Sequence, residues 1–191
     1  DVAAFHEALA DLIAILSRFR YRELVERAFA ETPLDLSSTL LTEVARQWGR
    51  SAGSGREALR RVALDAGAPD EPVARKHRYD VRKEEHELGA VLVAAVFDAM
   101  NRVFIRKTTH IRQLAATPHA PRAAVTTLLA AEAQKLAAEF LNILLRAIDY
   151  CPPVDLTFGE YLRAVVTADA VTVPEDPCGY REALVYAFRR Y

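Results

Sequence analysis

From Leu88 to Met100 the chain runs LGAVLVAAVFDAM, thirteen residues with Asp98 as the sole charge. A helix that is apolar on every side has no face to give to water and has to be enclosed by other elements. The run is also shorter than the roughly 20 residues that span a bilayer, so it is expected to be a core helix around which the rest of the chain packs. Candidates to enclose it are plentiful. Apolar residues recur at helical spacing along most of the 191 residues, and seven glycines are too few for the turns of an all-β fold. With 51% hydrophobic residues, the chain can build one domain with a substantial core or a closely packed pair of subdomains.

The predicted fold class is therefore all-α, an irregular multi-helix domain over residues 1–191. Helices are expected over 2–18, over 21–31 before Pro33, over 38–48 between a Ser37 cap and a Gly49 stop, and around 57–64. Residues 67–82 carry Pro69 and Pro72 without sustained periodicity, and so long an irregular segment is a candidate to border a cleft. One long helix is expected over 85–114 and another over 122–149, ended by Pro152 and Pro153. Thr157 and Glu160 have the spacing of a capping box opening a helix to about Ala168, and a last helix is expected over 180–189. The chain begins at Asp1 without a methionine and is in helical pattern by Val2, so a preceding segment is expected.

Charge narrows the function classes. With 25 basic and 26 acidic residues the formal charge is -1, which gives no electrostatic footprint for nucleic acid or an anionic membrane. Two cysteines, Cys151 and Cys178, make neither a disulfide framework nor a zinc knuckle. Without a histidine signature nearby, Cys151 is read as an unreactive thiol.

Two acidic residues in the first helix, Glu7 and Asp11, are four positions apart and share one face beside the apolar stripe of Phe5, Leu9, Leu12, Ile13 and Leu16. A spacing of this kind also arises on ordinary solvated helices. His6-Glu7 and His86-Glu87 each begin like a zinc-protease signature, but alanines, Ala10 and Ala90, stand where the second histidine belongs. His77 and His86 with Glu84, Glu85 and Glu87 read as a solvated loop and helix start, where acids also suit the helix dipole.

Phe5-His6-Glu7-Ala8-Leu9-Ala10-Asp11 nevertheless resembles the motif of the thermolysin-like gluzincin metallopeptidases, in which a Glu-Ala pair precedes an Asp. The closing pattern is similar too: Leu145 to Tyr150, Pro152, Thr157-Phe158, Leu162-Arg163-Ala164 and Ala168-Asp169 follow the order of that family's last helices. Gly89-Ala90-Val91 to Met100 sits where the family has its central Gly-Val-His helix, with Val93, Ala94 and Ala95 at positions that are polar there. The resemblance implies the helical C-terminal half of a zinc peptidase acting on peptides or proteins. Glu7 would be the third zinc ligand, and Asp11 would orient a metal-bound histidine. The two histidine ligands and the catalytic glutamate would belong to an upstream half sharing the zinc. It also implies a histidine that stabilises the oxyanion, assigned to His119 ahead of His110, and a substrate-binding arginine for which Arg78 and Arg82 are candidates. The other reading of the same residues is a non-catalytic helical scaffold or interaction module that keeps the fold.

Overall fold

The computed structural model describes residues 1–31, 78–117 and 119–191. Within them the protein is all-helical: α1 (Val2–Arg18), α2 (Arg22–Glu31), α3 (Glu85–Lys107), α4 (Thr109–Ala115), α5 (Arg122–Arg146), a 3-10 turn (Ala147–Tyr150), α6 (Phe158–Thr172) and α7 (Tyr180–Arg190). The helices expected over 38–48 and around 57–64, and most of the irregular segment 67–82, lie outside the described residues.

The apolar run forms the middle of α3, and every residue from Leu88 to Asn101 is buried. At 23 residues α3 is long and apolar enough to cross a membrane by length and composition, but here other helices enclose it. Helices α1 and α7 make its most extensive contacts, with α5 a third neighbour. Small residues set the α1 crossing. A Cβ added at Gly89 would lie 3.1 Å from the carbonyl oxygen of Ala4 and 3.8 Å from the Cβ of Ala8. Ala4 and Ala8 are buried at this contact, so the two backbones meet where neither helix carries a large side chain.

Asp98, the exception within the apolar run, is 4% exposed and accepts from two arginines, Arg102 Nε at 3.2 Å and Arg190 Nη1 at 3.0 Å. Arg102 also stacks its guanidinium 3.8 Å from the centroid of the Tyr186 ring. The carboxylate thus links α3 to the last turn of α7, and burying it is possible because charge-assisted bonds replace its water. A second hub closes the other end of α3. Lys107 Nζ lies 3.0 Å from Glu132 and 2.8 Å from Glu139 of α5, two turns apart on one face, and 3.2 Å from the Tyr180 hydroxyl.

The helix expected over 85–114 breaks at Thr108. The Thr108 hydroxyl donates to the Phe104 carbonyl at 2.7 Å and the Thr109 hydroxyl to Ile105 at 3.0 Å, so two adjacent side chains compete for the carbonyls that would carry the helix on. Helix α5 tightens over Ala147–Tyr150 into a 3-10 turn before Pro152, where a continuous helix to Asp149 is expected. The capping box forms as its spacing predicts, with the Glu160 amide donating to the Thr157 hydroxyl at 3.2 Å and the Thr157 amide to Glu160 at 2.9 Å. Helix α6 runs past Ala168 to Thr172 because Asp169, 2% exposed, is held there by Arg181 at 2.9 Å, which binds the end of α6 to the start of α7.

Replacing Asp98 by alanine removes the carboxylate that both arginines share and is expected to cost about 3 kcal/mol in urea unfolding. A loss below about 1 kcal/mol would mean that apolar packing alone seats α7 on α3.

Candidate functional site

Ala4, Glu7, Ala8 and Asp11 follow one another at helical spacing and form a single face of α1. Ala4 and Ala8 press onto Gly89, and Asp11 is buried one turn beyond Glu7. On α3, His86 precedes Gly89 by three residues and lies on the same face. The close helix crossing therefore has a chemical result: His86 Nδ1 pairs with Glu7 Oε1 across 79 positions of sequence.

The pair sits at the surface, with the His86 side chain 80% exposed and that of Glu7 35% exposed. The hydrogen bond to Glu7 and the carboxylate's charge raise the pKa of His86 above its ordinary value, against a small opposing effect of desolvation; Glu84 and Glu85 add to the rise. A carboxylate oxygen and an imidazole nitrogen are thus presented side by side from two rigid helices. Such a pair can accept and donate protons, or offer an oxygen and a nitrogen to an electrophile at the surface. Among the described residues, no group of three or more His, Cys, Asp or Glu side chains is arranged to hold a metal ion.

The remaining candidates are dispersed. His119 is exposed on the connection between α4 and α5, with φ of 69°, in the left-handed region. That connection follows α4, which starts at the end of α3 opposite His86. His110 is exposed on α4. Arg82 is engaged close by: its Nε and Nη2 bond Asp80 at 3.0 and 2.7 Å, and Arg82 holds the Asp80 carboxyl well below the usual carboxylate range. Arg78 is exposed, and His77 lies outside the described residues. Cys151 donates its Sγ to the Ala147 carbonyl at 3.3 Å, and burial pushes its thiol pKa up, as expected of an unreactive cysteine.

His86 is the residue that the sequence left among solvated charges. The available signal was steric: Glu7 is flanked by Ala4 and Ala8, and His86 is followed at helical spacing by Gly89. That match becomes meaningful only once α1 is known to cross α3 at this point. No family model, curated protein or solved structure matches the chain.

His86 is expected to titrate above the ordinary imidazole value of 6.5 in an NMR pH series. Glu7→Gln should return it toward that value, and Gly89→Leu should do the same by separating the helices. Because the folded pKa is the higher one, any stability from the pair is fully present below the unfolded pKa and is lost as pH rises through the folded pKa. An unshifted His86 in the parent chain would rule out the pairing.

Proposed function

We propose that this chain is the helical C-terminal half of a zinc-dependent metallopeptidase that hydrolyses peptide bonds, with Glu7 as a metal ligand. The observation that carries the reading is the pairing of Glu7 with His86 over a buried Asp11. Of the residues with the family's motif, Glu7 fits a metal: its carboxylate is partly exposed and fixed on a rigid helix. Asp11, one turn deeper, is suited to orienting a histidine brought in by the other half. A bound zinc ion supplies, in such enzymes, an activated water for attack on the peptide carbonyl.

The oxyanion role that the resemblance gives to His119 falls better to His86. A donor for developing negative charge has to stand beside the metal ligand, and His86 touches Glu7. The resemblance assigns the two histidine ligands and the general base to an upstream half that shares the zinc. The 191 residues by themselves are accordingly expected to hydrolyse no peptide.

The test uses the parent chain with its upstream segment. Glu7→Gln is expected to lower zinc stoichiometry and abolish proteolysis, while His86→Phe should keep the zinc and lower kcat about 100-fold or more with little change in KM. Unchanged zinc and proteolysis in the Glu7 variant would overturn the reading. An upstream sequence without His-Glu-x-x-His would favour the scaffold module instead.

A further inference from the structure

The face of α3 turned away from Glu7 and His86 borders a cavity of about 400 Å³. Val91, Leu92 and Ala95 line it, and at 3.6 residues per turn these three lie across the helix from His86. Phe158 and Leu162 of α6 and Phe188 of α7 supply the facing walls. Its volume lies within the range of roughly 300 to 1,000 Å³ found for small-molecule sites, which are typically apolar with a few polar groups that fix orientation.

The polar groups at this cavity are unequal. The Asp1 carboxylate is already engaged, accepting from the Tyr79 hydroxyl at 2.9 Å and from the Phe158 amide at 3.3 Å. The Thr157 hydroxyl serves the capping box. Arg189 lines the cavity from the last turn of α7 and is exposed, and no hydrogen bond or ion pair of its side chain is found among the described residues. Its neighbour Arg190 is committed to Asp98. An apolar cavity with an arginine at its edge that is uncommitted among the described residues matches a ligand with an apolar tail and a negative head.

We propose that this cavity binds a single-chain amphiphile with an anionic head group, its tail between α3, α6 and α7 and its head on Arg189. A carboxylate and a phosphate monoester share the chemistry that Arg189 recognises. The site uses neither Glu7 nor His86, so its binding is read out separately from the zinc chemistry.

Isothermal titration of the 191-residue chain with decanoate, decyl phosphate and decanol tests the proposal. Both anions are expected to bind, with decanol weaker by about tenfold or more. Preference between decanoate and decyl phosphate identifies the head group. Arg189→Gln should bring the anions to the affinity of decanol, and Ala95→Phe, which fills the cavity, should remove binding of all three. Leu162→Trp is the second filling variant should Ala95→Phe melt without a cooperative transition. Absence of binding, equal affinity for decanol, or binding that survives both filling variants would overturn the proposal.

Discussion

The structure depends on a crossing where two helices have almost no side chain between them. Gly89 meets the backbone of α1 at Ala4 and Ala8, and nothing larger than a methyl group separates the axes there. Dense packing transmits such a local choice outward. Because α1 lies this close, Phe5 can set its ring 4.7 Å from that of Tyr161 on α6, and the Tyr161 hydroxyl reaches the Leu144 carbonyl of α5 at 3.1 Å. Two helices, α3 and α6, thereby meet α1 near its start, α6 in turn holds α5, and Glu7 lies in the same stretch. The candidate site is a by-product of tight packing, its two polar side chains placed by apolar neighbours.

Among the described residues, a few charged groups stand inside or at the seams between helices. Asp98 joins α3 to α7, Asp169 joins α6 to α7, and Lys107 joins α3 to α5. A buried ion pair contributes little net stability once desolvation is counted, yet it is costly to break from one side. Such pairs therefore fix which helix faces meet more than they add to the folding free energy. The hydrophobic stripes of α7 and α6 would tolerate small rotations, whereas the bonds of Arg190 to Asp98 and of Arg181 to Asp169 define the alignment.

Much of this was legible in the sequence. The enclosed α3, the capping box at Thr157 and the limits of α1 all follow from local chemistry, since apolar spacing, a hydroxyl and an acid three residues later act within one or two turns. The break at Thr108 was less visible, because threonine hydroxyls compete with the helix without forbidding it. The pairing of Glu7 with His86 was not legible at all from one helix at a time. It requires a contact between segments 79 positions apart, and sequence periodicity gives the face of each helix without naming its partner. For the same reason His86 read as one charge in a solvated run, and His119, picked by its order in the chain, lies on a separate connection.

Lys107 carries a last consequence. The chain has four lysines, and among the described ones Lys135 is exposed while Lys107 is 11% exposed within its carboxylate cage. Burial disfavours the charged amine of Lys107, but the bonds to Glu139 and Glu132 outweigh it and hold the proton more firmly than on a free lysine. Acylating reagents attack the neutral amine, so the fold shields Lys107 both by access and by protonation. Amine labelling followed residue by residue thus contains its own clock, with Lys135 counting reagent exposure and Lys107 recording each separation of α3 from α5.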